Sequence, residues 1–560
     1  VGAGPTGLTM AIVLMMQGVP TRIIDEKAQY STSSRGTGVQ TRSQEVLRTI
    51  GCVDEVLENA TPPFVIRIYA SPDGVNTVKD FEWSPPLKES PSILFRSIAS
   101  TSQASLEAAL RKRLEALGGC VELSTSLVGL REGENYAAAE TIHRSPTGEP
   151  AATVTRKYAS VVAADGAKGR IRSMVGVNFL GEMRKAERMF IADVTADGLD
   201  GEHWHRWGDM SNLSCFLKPM VPFPRFQLQS IGPQLPERLP TNVDKLQNFF
   251  SGISGRHDII LSDMTWSTEW RANIRMVDMF STGHVHFIGD AAHCHSPAGG
   301  QGVVTGMTDA FNLAWKLALA YRGLASEALL PSYQTERMPV VANMLSLTNA
   351  LHARTIGAQP QMADNASESA ARDPMYRDNA LSQLWVNYRW SSIVVDERFP
   401  RRTSEDPHMN PFGVEGDTLQ AGDRAPDATS LREVDATTEI ISSSETTLFK
   451  VYSPTVHTLI VFPGNKFLPF DLEFASRYRT MAILTLWIII PSGQPAGDVA
   501  ADKIFIDAAG HARSGYGLSS APADSETHYF LVRPDGMIGA YGTGPGIVQE
   551  YFRNILRSDD

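Results

Sequence analysis

Apolar and polar positions divide the chain into stretches of two different periods. Residues 8–16, LTMAIVLMM, are apolar without interruption and follow a glycine-rich turn, which predicts a buried helix. TRIID, ending at Asp25, reads as a short strand, as do SVVAADG, which contains Asp165, and GHVHFIGD, which ends at Gly289–Asp290. STSQASLEAALRKRLEAL is amphipathic and starts a helix near Gln103. Between 187 and 275 the period drops to two in MFIADVTAD, LSCFLKPM and RFQLQSIG, with one helical interruption, NVDKLQNFFSGIS. That alternation predicts an antiparallel sheet with one face free to wall a pocket. After Asp290 a glycine-rich loop runs into a long helix over 308–321, then a polar helical stretch reaches about residue 400. The strands TLIVFPG, TMAILTLWIII and HYFLVRPDGMIGAYG follow GDTLQAGDRAPDA, which marks a boundary. Fold class is therefore α/β, with domains expected at 1–180, 181–275, 276–400 (the second half of the first domain and a helical linker) and 411–560.

Composition narrows the classes. At 560 residues, 42% apolar and 20% charged, the chain has the make-up of a soluble protein of several domains. Its net charge of −11, with no dense Lys/Arg cluster, argues against nucleic acid or an anionic membrane as partner. The apolar runs fall short of the roughly 20 residues that cross a bilayer. Cys52, Cys120, Cys215 and Cys294 are scattered, so a disulfide framework is not expected and a reducing cytoplasm fits. His293 and His295, in DAAHCHSP, lack an accompanying carboxylate ligand set, so no metal site is expected; packing explains them as readily as catalysis.

Chemistry enters at the first residues. VGAGPTGL places Gly2, Gly4 and Gly7 in G-x-G-x-x-G, with Pro5 and Thr6 opening the helix and Asp25–Glu26 at the end of the next strand. Glycines allow a tight turn and close pyrophosphate approach, the helix N-terminus receives phosphate charge, and the acid reaches ribose hydroxyls. The strand expected before Gly2 is almost wholly missing, so a few residues are expected to precede Val1. The fingerprint alone leaves FAD and NAD(P) open. Asp165–Gly166, Asp290 and the glycines at 299, 300 and 302, flanking Gln301, form further cofactor-type turns along the chain.

This order of motifs resembles the group A flavoprotein aromatic hydroxylases, in the branch of the phenol and polyketide hydroxylases, over nearly the whole chain. The resemblance implies a Rossmann-like FAD-binding domain, an inserted antiparallel substrate sheet and a thioredoxin-like C-terminal domain. No cysteine follows Cys294, so that last domain would do no thiol chemistry. It implies that Asp290 contacts the FAD ribitol and that Gly299, Gly300, Gln301 and Gly302 lie against the isoalloxazine ring. Arg35, Arg42 and Gln103 would also hold FAD, Arg35 through bidentate contact with phosphate. His205, Trp207, Trp266, Arg275 and Pro297 are the expected pocket residues. Thr37 stands where phenol hydroxylase has an acid, and Val303–Val304 where many relatives have Met-Asn, so no group is assigned to deprotonate substrate.

The implied reaction uses NADPH or NADH and O2: a hydroperoxide at flavin C4a would hydroxylate a phenolic aromatic, and the enzyme would be a homodimer. A Baeyer–Villiger oxidation by the same flavin is one alternative. A plain NAD-dependent Rossmann dehydrogenase is another, but it leaves Gly289–Asp290 and the distant glycine loop unexplained.

Overall fold

The structure, a computed structural model, describes residues 1–36, 38–61, 65–145, 152–296, 299–356, 373, 375–400, 403, 406, 409–434, 440–464, 472–493, 500–518 and 526–558. Its N-terminal half packs helices on short parallel pairings. Ile23–Ile24 runs parallel to Val121–Glu122, and Val161–Ala163 parallel to Val285–Phe287. Helix α1, Pro5–Met16, is buried from Gly7 to Leu14, as its unbroken apolar sequence requires. Helix α2 spans Thr41–Ile50, and α3 spans Gln103–Ala116 with Ser102 as its N-cap, accepting from the Ser105 N–H.

One eight-stranded sheet lies over this half. Its strands are β1 Val65–Tyr69, β2 Thr77–Glu82, β3 Phe179–Asp197, β4 His203–Asp209, β5 Leu213–Pro219, β6 Arg225–Ile231, β7 Ile260–Val277 and β8 His293–Cys294. Their spatial order is β8-β7-β3-β6-β5-β4-β1-β2, antiparallel except where β4 meets β1. Two of these strands come from residues 65–82, so the sheet is not confined to the expected span 181–275. Helix α4, Val243–Ser254, covers one face, where Leu246 and Phe250 pack on Phe190, Ala192, Trp207, Leu217 and Leu228. The expected alternation is thus real, and α4 occupies one of its two faces.

The chain returns through α5, Gly302–Tyr321, and α6, Pro331–Ile356. Nearly every α5 residue is buried, including Asp309, Asn312 and Lys316.

A second eight-stranded sheet forms the C-terminal part. It comprises β9 Val395–Asp396, β10 Leu431–Val434, β11 Ile441–Thr446, β12 His457–Phe462, β13 Leu484–Pro491, β14 Lys503–Asp507, β15 His528–Val532 and β16 Ile538–Gly542, in the order β9-β16-β15-β12-β13-β14-β10-β11. β12, β13 and β14 are parallel neighbours, and β12 is buried at every position, as a strand covered on both faces must be. β9 pairs with β16, so residues 395–396 belong here and not to the linker that the boundary at 400 implied. Trp315 and Leu319 of α5 join the core of this sheet, which ties the two halves together. No described helix is long and apolar enough to cross a membrane.

Candidate active site

Three backbone turns converge on Thr6. A Cβ on Gly7 would lie 2.0 Å from the Gly2 carbonyl oxygen, so only glycine lets α1 approach the first turn this closely. A Cβ on Gly306 would lie 2.3 Å from Thr6 Oγ1, and one on Gly289, whose φ is +58°, 2.8 Å from the same atom. The start of α1, the Gly289–Asp290 turn and the first turns of α5 therefore share one small volume. α1 begins at Pro5 without a side-chain cap, and no atom lies within 4 Å of a Cβ built on Gly4. Its first N–H groups and positive dipole end face open space. Asp25 accepts from the N–H groups of Ala3 and Lys27, both at 2.9 Å, and so pins the glycine turn; Glu26 beside it is exposed. Asp165 accepts from the Ile171 N–H at 3.1 Å, while its Oδ1 is buried with no partner among the described residues.

Asp290 is exposed although Gly289, Ala291 and Ala292 around it are buried. Its carboxylate opens into a cleft enclosed by protein. That enclosure pushes its pKa up from the ordinary carboxylate value, against the pull of His293, Arg35 and Arg172. Below it, Asp309 Oδ2 accepts from the Gly289 N–H at 3.0 Å and lies 2.7 Å from His293 Nε2. Arg337 Nε donates to Asp309 Oδ1 at 2.7 Å, and its other nitrogens reach Tyr388 and Thr305. Burial works against Asp309 ionisation, but Arg337 and His293 outweigh it and hold the carboxyl below its usual range. Neither Asp309 nor Arg337 was singled out from sequence, although an acid inside an apolar helix was a readable signal.

Across the cleft, Ser34 donates through its N–H to Asp193 at 2.9 Å, and its hydroxyl donates to the same carboxylate. Gln227 Nε2 donates to the Arg35 carbonyl at 3.1 Å, and the Gln103 N–H to the Ser34 carbonyl at 3.0 Å. The sheet and α3 thereby hold Arg35 in the left-handed region, φ +34°, with its guanidinium exposed. Gln103 Nε2 itself donates to Glu107 at 2.7 Å. Asp193→Ala should weaken cofactor retention severalfold, because about 0.5–1.5 kcal/mol is typical of one such net hydrogen bond. A flavin titration followed by fluorescence checks this, and unchanged affinity would remove Asp193 from the account.

The glycine loop is held by side chains. Gln301 Nε2 donates to Gly299 O and Leu381 O, both at 2.9 Å, while Gln40 Nε2 donates to Gly299 O at 3.2 Å. Gln301 is thus wholly buried and supports the loop; its side chain does not line the cleft. α5 starts at Gly302 with no side-chain cap, which leaves its first-turn N–H groups available to negative charge.

Several expected site residues stand elsewhere. Arg42 is turned out of the cleft: it pairs with Glu45 at 2.7 Å and donates to the Asp535 carbonyl at 2.8 Å. His205 and Trp207 lie on the α4 face, opposite Asp193 and Gln227. His205 lies 2.8 Å from the Tyr69 hydroxyl and 3.0 Å from Asp200 O, and Trp207 Nε1 donates to Gly74 O at 3.0 Å, so both are satisfied core groups. Trp266 pairs directly with Asp193 and so shares the cleft-facing side, with Trp270 four pairs further along on the same face, edge-on to His352. Arg275, opposite Gly181 and Cys294, lies where the sheet meets the Asp290 turn; its Nε is buried without a partner among the described residues. Pro297 and Thr37 lie outside the described residues.

The family model for the FAD binding domain matches residues 1–348. The chain belongs to the group A FAD-dependent aromatic hydroxylases. This flavoprotein is 32% identical over 562 residues to a flavin-dependent monooxygenase of Mycobacteroides abscessus, covering 99% of each chain. It is 30% identical over 435 residues to pentachlorophenol 4-monooxygenase of Sphingobium chlorophenolicum, covering 76% of this chain and 75% of that one. Its fold matches that of aklavinone-11 hydroxylase in a ternary complex with FAD and aklavinone, with TM-score 0.74 at 20% identity over 99% and 97% of the chains. The flavoprotein's cleft fits FAD: an uncapped α1 with space at Gly4 and an exposed Arg35 suit phosphate, an open Asp290 suits a hydroxyl, and an uncapped α5 suits an anionic ring.

Proposed function

We propose that the protein inserts one oxygen atom of O2 into a phenolic aromatic compound, with NADPH or NADH as reductant. The observation that carries this is the sheet face opposite α4, which turns Trp266, Trp270 and Phe216 toward the side where Ser34 and Arg35 sit. A flat apolar ligand would lie between that face and the cofactor turns. FAD, when bound, supplies the hydride acceptance and O2 activation that side chains lack. The chain's own contribution is positional. Asp290, Arg35 and the α1 N-terminus hold the cofactor, the α5 N-terminus favours negative charge on its reduced ring, and the sheet excludes water. In this reading the C-terminal sheet is thioredoxin-like and supportive, consistent with its parallel β12–β13–β14 core and its lack of cysteine.

The test is NADPH oxidation by the FAD-loaded protein with a panel of phenols and phenolic polycycles. The expected result is consumption accelerated by one aromatic, whose product gains one oxygen as a new hydroxyl. A ring-expanded ester of the same mass would point to Baeyer–Villiger chemistry. A colourless protein that cannot take up FAD would end the proposal.

A further inference from the structure

The cleft-facing side of the large sheet carries buried indole and guanidinium N–H groups that nothing above uses. Pairing in register puts Trp266, Asp193, Gln227 and Lys218 in one row across β7, β3, β6 and β5. Arg206 faces Phe216, and Phe216 faces Gln229, in the next row. Directly paired residues point to one face, so Trp204, Arg206 and Lys218 share the side on which Asp193 and Gln227 grip the Arg35 loop. His205 and Trp207 alternate to the other.

These three side chains are buried: Trp204 is 5% exposed, Arg206 8% and Lys218 5%. The Lys218 ammonium lies 5.2 Å from the Trp204 ring centre, and the Trp83 ring stands edge-on to Trp204 at 5.7 Å. Among the described residues, Trp204 Nε1, Trp83 Nε1 and Arg206 Nε have no acceptor. Arg206 meets one carboxylate, Asp373, at 3.5 Å. Around them stand Ile66, Phe81, Phe216 and Met375. Native proteins rarely leave buried donors unmatched, and here several stand beside two cations within an apolar, aromatic patch. Burial also lowers Lys218 to about 7, so an arriving negative charge would favour its ammonium form. The complementary ligand is a flat aromatic that ends in an anionic oxygen.

We propose that Trp204, Arg206 and Lys218 bind a carboxylate or ionised enol at the end of the aromatic substrate distant from the flavin. This rests on the proposed hydroxylation and specifies its substrate class: an acidic polycyclic aromatic and not a neutral monophenol. Trp204 and Arg206 donate to the anionic oxygen, Lys218 supplies charge, and the ring stacks within the apolar surround.

The test uses full-length, FAD-loaded protein titrated with 4,5-dihydroxyanthraquinone-2-carboxylate and with its methyl ester, read from the flavin difference spectrum. Wild type should bind the acid at least tenfold more tightly than the ester. Lys218→Met and Trp204→Phe should each erase most of that preference while retaining bound flavin, and Lys218→Arg should restore it. Equal binding of acid and ester by wild type, binding of neither, or a preference untouched in both variants would overturn the proposal. Failure of the hydroxylase reading looks different: flavin is not bound, or no aromatic of either kind accelerates NADPH oxidation.

Discussion

Asp290→Ala should leave a folded protein that binds FAD about ten- to a hundredfold more weakly, since a hydrogen bond to a charged group contributes about 1.5–3 kcal/mol. The side chain is exposed, so no core packing is lost with it. The turn that presents it is fixed from below through the Gly289 N–H and Asp309, neither of which the substitution touches. Asp290→Asn keeps an acceptor but no charge, and should fall between alanine and wild type. Because enclosure raises the Asp290 pKa, wild-type affinity should begin to fall on acidification at higher pH than an ordinary carboxylate would dictate, and the asparagine variant should lack that step. Flavin content after purification and a fluorescence titration between neutral and acid pH read both effects. Full retention of FAD by Asp290→Ala would remove this carboxylate from the cofactor site.

The cofactor turns were readable because their constraints are local and lie in the backbone. Gly7 and Gly289 stand where a Cβ would strike neighbouring atoms, and such positions leave glycine in the sequence at fixed spacing. At the Asp165 turn the following Gly166 is marked instead by its positive φ of +78°. The large sheet was readable as alternation, but which of its faces α4 would cover was not. In GEHWHRWGD both parities carry an aromatic ring: His205 and Trp207 on one side, Trp204 beside Arg206 on the other. One residue of register decides between them, and the partner strands that set it come from 65–69 and 213–219.

Arg42 shows the complementary limit. The family resemblance implied a cofactor arginine, yet its guanidinium is taken up by Glu45 on its own helix and by a carbonyl 493 residues away. The same long-range logic hid Asp309 and Arg337, whose partnership requires α5 and α6 to be packed side by side. Local pattern thus exposed the glycine turns and the open Asp290 at the cleft, and missed the buried pair that holds the Asp290 turn in place.

The strongest of these hidden contacts lies between the cofactor half and the C-terminal sheet, and Glu336→Gln should be the most destabilising single change proposed for this chain. Glu336 Oε1 accepts from Arg533 at 2.7 Å and Ser391 at 2.6 Å; Oε2 accepts from Arg533 at 2.9 Å, Lys316 at 2.7 Å and Asn312 at 2.6 Å. Arg533 in turn pairs with Asp535, and all four charged groups are buried. Their formal charges cancel, two positive against two negative, so removing one leaves a buried charge unbalanced at a cost of about 3–5 kcal/mol. Burial works against ionisation of Glu336, but Arg533 and Lys316 outweigh it and hold the carboxyl well below the usual range. A carboxyl whose pKa is depressed on folding adds stability above its unfolded pKa, near 4.3, and that stability drains away as pH falls further. Wild type should therefore lose denaturant resistance below about pH 4.3, and Glu336→Gln should lack this contribution to that loss. The double change Glu336→Gln with Lys316→Met restores neutrality and should recover part of the loss, which a simple sum of two defects would not do. Flavin should loosen in step, because Arg337, the next residue on α6, anchors Asp309 under the Asp290 turn. Denaturant unfolding and flavin release measured on the same samples decide the matter. A Glu336→Gln protein as stable as wild type, or a double variant worse than the sum of its parts, would show that this ion cluster does not join the two halves.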